Sequence, residues 1–297
     1  MSDVNAYALQ RTATWTDFVS LTKPRLSSLV LATTAGGMWL APGELSTARW
    51  FVTLVATAGT VGAANALNCY LERDSDRLMR RTRERPLPSG RMDPVLALGF
   101  GLLLAAVFLP ALYVAANPLT ALLGAVALTS YVFVYTPMKA RSAHAMVVGA
   151  IPGALPPLMG WTAVTGHLQL PGLVLFAILF LWQLPHFIAI ALFRKEEYAA
   201  AGLKSVPLSS GEGSARAQAA AYLLMLVPVS LMLYPLHVTG GFYLVSALLL
   251  GGVFAGYGVW GFLKGLGAGW ARQLFLLSLL YLSGLFVALM VDGAARG

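Results

Sequence analysis

The stretch Asn68-Cys69-Tyr70-Leu71-Glu72-Arg73-Asp74-Ser75-Asp76-Arg77, running on through Arg80-Arg81-Thr82-Arg83-Glu84-Arg85-Pro86-Leu87-Pro88-Ser89-Gly90-Arg91, decides how the chain is read. It follows directly on an apolar run long enough to cross a bilayer, and it gathers Glu72, Asp74 and Asp76 with seven of the chain's 20 Lys and Arg. Almost everything around it is apolar. Of 297 residues 58% are hydrophobic and 11% charged, with a mean hydropathy of +0.73, against roughly a quarter charged in soluble domains. The chain therefore reads as an integral membrane protein without a soluble module.

Spanning helices need about 17 to 25 apolar residues. Nine such runs can be drawn, centred near residues 26–43, 50–71, 93–113, 118–136, 145–165, 171–193, 218–236, 241–263 and 272–291. They are rich in Leu, Ala, Gly and Met and too long for the roughly ten-residue alternating strands of a barrel. The expected architecture is all-α, a polytopic membrane bundle of about nine transmembrane helices. Residues 26–297 form one domain behind an N-terminal arm, residues 1–25. The arm has no apolar core of the signal-peptide kind, so the first span serves as the insertion signal. Cys69 is the only cysteine, which excludes an intrachain disulfide and a Cys-cluster metal site.

A formal charge of +8 could point to nucleic acid, but its placement explains it better. If loops alternate sides, 18 of the 20 Lys and Arg fall on one side, with Arg49 and Arg296 opposite. This is the positive-inside pattern. It sets the N-terminus and the charged loops in the cytoplasm of a cell whose inner membrane holds the protein, and an odd span count leaves the C-terminus outside.

Asn68, Glu72 and Asp76 are four apart, so on a helix they line one face over about 12 Å of axis. Asp74 falls on another flank, where Arg77 or Arg81 can pair with it. One reading is a solvated helix end carrying i,i+3 and i,i+4 ion pairs. The other is a ligand site, because polar groups facing a bundle interior are costly and the segment ends in the rigid turn Arg85-Pro86-Leu87-Pro88-Ser89-Gly90. Carboxylates beside arginines suit a cation that brings its own anion. Magnesium is commonly held by one or two carboxylates plus substrate phosphate, and arginines neutralise the remaining oxygens.

Several later stretches are also marked. Leu21-Thr22-Lys23-Pro24-Arg25 reads as an interfacial anchor. Span 4 ends in Tyr131-Val132-Phe133-Val134-Tyr135-Thr136-Pro137-Met138-Lys139, bringing a tyrosine and a lysine to the charged side. Span 5 carries Gly149, Pro152, Gly153, Pro156, Pro157 and Gly160, a density of helix breakers that predicts a kinked helix lining a pocket. Span 6 contains Trp182-Gln183-Leu184-Pro185-His186-Phe187 and emerges at Arg194-Lys195-Glu196-Glu197 before Lys204. If its helix continues, His186 and Glu197 share a face about 16 Å apart. Spans 7 to 9 close the bundle, with Gly251, Gly252, Gly256 and Gly258 permitting close contacts.

Five blocks in order resemble the UbiA superfamily of membrane prenyltransferases, and within it the haem branch. They are Asn68-x3-Glu72-x3-Asp76; Arg81-Thr82 with Arg85-Pro86-Leu87-Pro88-Ser89-Gly90; Tyr135-Thr136-Pro137 with Lys139; Gly153-Ala154-Leu155-Pro156-Pro157 with Gly160-Trp161-Thr162-Ala163-Val164-Thr165-Gly166; and Trp182 to Phe187. The last two are particular to the haem branch. Glu72 stands where the superfamily usually has Asp, and where it has a second Asp-rich motif this chain offers only Lys195, Glu196, Glu197 and Lys204.

The resemblance implies transfer of a farnesyl group from farnesyl diphosphate to a vinyl group of haem B, with net addition of water. It implies Mg2+ on Asn68, Glu72 and Asp76, with Glu197 a further candidate. It implies a diphosphate held by Arg73, Arg77, Tyr135, Lys139, Lys195 and Lys204, and an acceptor met by Trp182, Gln183 and His186. Trp182, Phe187 and Tyr131 are available to shield an allylic cation, membrane lipid adjoins the farnesyl tail, and a haem A synthase or an oxidase assembly factor is the implied partner. A quinone-type acceptor, a transporter and a non-catalytic assembly factor are the competing readings. Against transport, the polar groups gather at one membrane face and the two halves show no repeat.

Overall fold

Five of the long helices, those starting at Pro24, Thr47, Pro94, Pro118 and Leu170, begin where the sequence supplies a cap or a proline. Ser46 accepts from the Arg49 amide, Asp93 from Val95 before Pro94, and Asn117 from Thr120 before Pro118. Such caps satisfy otherwise orphaned amides, and proline at the first helical position loses no hydrogen bond.

The computed structural model of the protein describes residues 13–294; the first twelve residues of the arm, with Arg11, and also Arg296, lie outside the described residues. The helices are α1 (Trp15–Leu21), α2 (Pro24–Leu40), α3 (Thr47–Asp76), α4 (Pro94–Ala115), α5 (Pro118–Thr129), α6 (Thr136–Met138), α7 (Ala145–Thr165), α8 (Leu170–Phe193), α9 (Lys195–Ala200), α10 (Val206–Ser209), α11 (Gly211–Leu231), α12 (Gly241–Leu263) and α13 (Ala268–Ala294). A π turn, Ser130–Tyr135, joins α5 to α6, so Pro118–Met138 crosses as one rod. No strand occurs among the described residues.

Eight of these helices are long and apolar enough to span, and α2, at 17 residues, stands at the short limit. Together they account for the nine apolar runs. Two extend beyond their apolar runs. α3 continues as one helix to Asp76, past the apolar run, which carries the Asn68–Glu72–Asp76 face on a single rigid rod. α11 starts at Gly211, because Glu212 is held by Lys195 at 2.9 Å and by Arg216 at 3.5 Å and its polar first turn is thereby paired.

The helices close a ring in which α2 packs on α3, α3 on α4, α4 on α5, α5 on α7, α8 on α11, α11 on α12, α12 on α13 and α13 back on α2. α7 and α8 run through the middle and pack on each other. Their apolar stretches are 72% and 67% buried, against 17% for α4. The outward faces carry exposed Val95, Leu103, Val114, Leu249 and Leu263, as a lipid-facing surface requires.

α7 departs from its sequence reading. Only its first turn, through Ala145 and Met146, reaches the cavity described below. Its glycines make helix contacts instead. A Cβ on Gly160 would lie 2.0 Å from the Thr34 carbonyl oxygen, and one on Gly37 would lie 2.1 Å from that of Pro157, so α2 and α7 cross backbone to backbone. The breakers buy proximity rather than a pocket.

The described part of the arm is packed. α1 opens with a capping box between Thr14 and Asp17, sets Phe18 edge-on to Phe100 at 5.1 Å, and buries Leu21 among Ala66, Cys69, Leu87, Met92 and Ala97. Arg91 reaches Asp17 at 3.4 Å, and the Thr14 hydrogen bonds, with Arg91 adding to them, hold the Asp17 carboxyl below its ordinary pKa.

Candidate active site

Where α3 emerges, its Asn68–Glu72–Asp76 face forms one wall of a cavity of about 300 Å³. The polar wall is completed by Lys23, Arg81, Arg85, Tyr135, Lys139, Lys204 and Ser205. Much of the remaining lining is apolar, with Met146, Phe187, Ile188, Ile190, Ala191, Val206 and Pro207.

Each polar group on the α3 face touches a cation. Lys23 Nζ donates to Asn68 Oδ1 at 2.8 Å, while the Asn68 amide donates to the Thr136 hydroxyl at 3.0 Å and is thereby oriented. Lys139 Nζ lies 2.7 Å from Glu72 Oε1 and 4.4 Å over the Tyr135 ring. Arg85 Nη1 lies 2.8 Å from Asp76 Oδ2, whose side chain is 2% exposed. Burial lowers the Lys23 pKa below that of an ordinary lysine. Burial acts the same way on Lys139, but Tyr135 and Glu72 outweigh it and hold that ammonium above the ordinary value.

Local backbone places these cations. Lys23, directly before Pro24, adopts a left-handed conformation, φ 50°, and the chain turns there from α1 into α2. The π turn before Thr136 follows from Pro137, which offers no amide to continue the α ladder; the Thr136 hydroxyl satisfies Tyr131 O at 2.8 Å. It leaves Tyr131, Tyr135 and Lys139 together on the cavity wall. The basic turn after α3 folds back through Thr82 Oγ1 to Asp76 O at 2.8 Å and carries Arg81 and Arg85 inward. The Lys204 amide bonds the Lys139 carbonyl at 2.9 Å, drawing the loop before α10 over the opening. Beside it, the Ser205 hydroxyl is buried without a partner.

Thus Asn68, Glu72, Asp76, Tyr135, Lys139 and Lys204 come together, with Tyr131 and Phe187. Others of the sequence candidates do not line this cavity. Arg73 donates to Tyr70 O at 2.8 Å and Arg77 to Pro88 O at 3.2 Å, both facing Asp74 on the outer flank. Lys195 is paired with Glu212 and Glu197 with Arg194 at 2.7 Å. The Arg194 hydrogen bond lowers the Glu197 pKa. α8 ends at Phe193 and Glu197 sits on the separate α9, so the shared face with His186 does not arise. Trp182 and His186 turn toward α13, both meeting Ser278 at 2.7 Å, and the Gln183 amide bonds Leu179 O at 3.0 Å and Ala150 O at 3.4 Å. Lys23, Arg81, Arg85 and Ser205 are residues the sequence did not single out for the site. The signal for Lys23 was its place before proline, and for Arg81 and Arg85 the proline-bounded turn.

Residues 30–280 match the UbiA prenyltransferase family. The chain belongs to that family. Among curated relatives it is 63% identical to the protoheme IX farnesyltransferase of Myxococcus xanthus over 99% of this chain and all of the relative, and 54% identical to that of Anaeromyxobacter sp. over 93% of both. Among solved structures, digeranylgeranylglyceryl phosphate synthase superposes with a TM-score of 0.81 at 17% identity, covering 94% of this chain and 98% of that one. A UbiA homolog from Archaeoglobus fulgidus, bound to DMAPP and Mg2+, superposes at 0.62 with 17% identity, covering 93% and 99%. As a UbiA-family prenyltransferase the chain is a multi-pass membrane enzyme, and the division of its cavity into a charged and an apolar wall is what a prenyl diphosphate requires.

The donor set fits magnesium. Among the described residues no three His, Cys, Asp or Glu converge. Two carboxylates, Glu72 and Asp76, and the Asn68 amide oxygen on one helix face are donors of the kind and number that could hold magnesium when substrate phosphate completes its coordination.

Proposed function

We propose that this prenyltransferase moves a farnesyl group from farnesyl diphosphate to a vinyl group of protohaem IX (haem B), with net addition of water, to give haem O. The observation that carries the chemistry is the α3 face, where two carboxylates and an amide are met by Lys23, Lys139 and Arg85 in a cavity whose remaining lining is largely apolar. The acceptor follows from relatives up to 63% identical that bear the farnesyltransferase name.

Bond cleavage at an allylic carbon is limited by the charge growing on the departing diphosphate. Lys23, Arg81, Arg85, Lys139 and Lys204 supply fixed positive charge, and the unpartnered Ser205 hydroxyl supplies a donor. Magnesium, when bound by Asn68, Glu72 and Asp76, adds charge neutralisation to the same leaving group. Tyr131 and Phe187 present aromatic faces to the allylic carbon and keep water from it. Arg73, Arg77 and Lys195 act as outer charges that draw the anion toward the opening, and Glu197 fixes Arg194. The one-sided Lys and Arg distribution supports an orientation in the bacterial inner membrane with the cavity mouth cytoplasmic.

The test is purified protein with haem B, farnesyl diphosphate and magnesium, with the pigment analysed by mass spectrometry. Haem gaining the mass of a farnesyl group plus a hydroxyl is expected. Unchanged haem, or farnesylation of an added quinone precursor alone, overturns the reading.

A further inference from the structure

A second cavity, of about 280 Å³, opens where α1, α3 and the basic turn meet. Arg81 and Arg85 line it as well as the first cavity, but the rest of its lining is its own. Half of that lining is apolar: Leu21, Cys69 and Leu87, all buried, with Pro86 and Pro88. The other half brings Arg81, Arg85 and Arg91 together with the Glu84 carboxylate and the Ser20 hydroxyl.

Two of the three cations are already fixed in place. Arg85 Nη1 is held by Asp76 Oδ2 at 2.8 Å, and Arg91 Nε and Nη2 are held by Asp17 Oδ1 at 3.4 Å and by the Glu84 carbonyl at 3.0 Å. A guanidinium carries more N–H donors than these bonds use. Both side chains are half-buried, so the remaining donors are preorganised and their charge is incompletely screened. An inorganic phosphate would gain nothing from Leu21 and Leu87, and a plain hydrocarbon nothing from three arginines. The lining suits a molecule that is anionic at one end and apolar at the other. Glu84 narrows the charge further, because a carboxylate in the lining repels a multiply charged anion more than it repels a phosphodiester with a single charge.

The surroundings put this cavity at the level of lipid headgroups. α1 packs on α3 and α4 and exposes Trp15, the basic turn exposes Leu78, and the first turn of α4 exposes Val95. Large apolar side chains exposed on either side of an arginine cluster are what a bilayer interface meets. Cys69 lies about 10 Å along the axis from Asp76, the end of α3, so the apolar part of the lining reaches from the turn toward the span.

We propose that this cavity binds the headgroup phosphate of an anionic phospholipid, with Arg81, Arg85 and Arg91 on the phosphodiester and the Leu21–Cys69–Leu87 surface against the glycerol end of its chains. The lipid comes from the leaflet on the side of the basic loops. The site does not depend on which acceptor receives the prenyl group, and nothing in its test requires turnover.

The experiment titrates delipidated protein in detergent, at physiological ionic strength, with dioleoyl phosphatidylglycerol or dioleoyl phosphatidylcholine and counts bound lipid by native mass spectrometry. One phosphatidylglycerol is expected to bind about tenfold more tightly than phosphatidylcholine. Ser20→Phe, which fills the cavity and keeps all three arginines, is expected to bring the two lipids within about twofold of each other. Arg91→Gln is expected to weaken phosphatidylglycerol about fivefold and leave phosphatidylcholine unchanged. Lys264→Gln, which removes an exposed cation after α12, is expected to change neither. Inorganic phosphate and pyrophosphate are then added as competitors beside dihexanoyl phosphatidylglycerol. Equal affinity of the unaltered protein for the two lipids overturns the site without recourse to any variant. A phosphatidylglycerol preference that survives in folded Ser20→Phe reduces it to diffuse surface charge and overturns it too. Pyrophosphate that displaces the bound lipid as well as dihexanoyl phosphatidylglycerol does, at equal concentration, assigns the cavity to a free anion and overturns the lipid.

Discussion

Glu72→Gln removes one charge and almost no volume, which makes it the sharpest probe of the α3 face. In the structure Glu72 Oε1 is 2.7 Å from Lys139 Nζ, the two side chains being 16% and 22% exposed. At an effective dielectric near 20 two unit charges at this distance attract by roughly 6 kcal/mol before desolvation is subtracted. The net loss to folding is far smaller, about 1–2 kcal/mol, because the remaining Lys139 ammonium keeps partial access to water. Catalysis should suffer more. In the proposed role Glu72 acts through the magnesium that would neutralise the leaving group, and loss of a group on which such charge stabilisation depends costs about 10²–10³ in kcat. The expected result is therefore a variant that stays in the membrane and melts within a few degrees of wild type, but forms haem O about 10²–10³ times more slowly. Asp74→Asn is the control, since that carboxylate is exposed and pairs on the outer flank with Arg73 and Arg77 at 3.8 and 3.5 Å; about a twofold effect is expected. Adding Lys139→Met to Glu72→Gln should cost less than the sum of the two single changes, as coupled neighbours do. Initial rates from chromatographic separation of haem B and haem O decide it. If Glu72→Gln keeps more than a third of wild-type kcat, or Asp74→Asn falls as far, the assignment of the α3 face to the leaving group fails.

Two further predictions separate residues that the sequence alone leaves equivalent. Among the arginines of the basic stretch, Arg81→Gln and Arg85→Gln should raise KM for farnesyl diphosphate about tenfold or more, whereas Arg73→Gln and Arg77→Gln, directed away from the cavity, should change it about twofold; steady-state kinetics over the four variants rank them. In the scaffold, Gly160→Val puts side-chain carbon within 2.0 Å of the Thr34 carbonyl and should abolish a monodisperse folded peak in detergent, while Gly252→Val, with nothing within 4 Å, should elute and melt like wild type.

The helices were legible because a membrane leaves so few options. Only an apolar run of sufficient length can satisfy its own backbone in lipid, so run length located every spanning helix and its order. What run length could not convey was the use of the breakers in α7. A proline or glycine in a span is tolerated either where backbone lines a cavity or where another helix comes close. Gly160 over Thr34 and Gly37 over Pro157 belong to the second case, a property of the pair α2–α7 that α7 alone does not encode. α8 ends at Phe193, where its apolar run ends; what run length did not convey is the break at Arg194 that carries Glu197 off on α9.

At the site, sequence spacing recovered the residues that share one helix and failed for those that meet across helices. Asn68, Glu72 and Asp76 are four apart, and four residues on a helix return to the same face whatever the surroundings. Lys23 lies 45 residues from Asn68 and Lys139 lies 67 from Glu72, so their contacts are decided by tertiary packing. The same limit explains why seven arginines looked alike: which of them enters the cavity is set by the turn through Thr82, not by proximity in sequence to the carboxylates. It also explains α8, where Trp182, Gln183, His186 and Phe187 form one sequence block but serve two faces. Depth in the membrane is a property of position along the helix and can be read from sequence. Facing is a property of the neighbours, and Ser278, 92 residues from His186, holds that imidazole against α13. The acidic face of α3 is likewise completed by residues distant in sequence, which is why no single block of the chain displays the whole cavity wall.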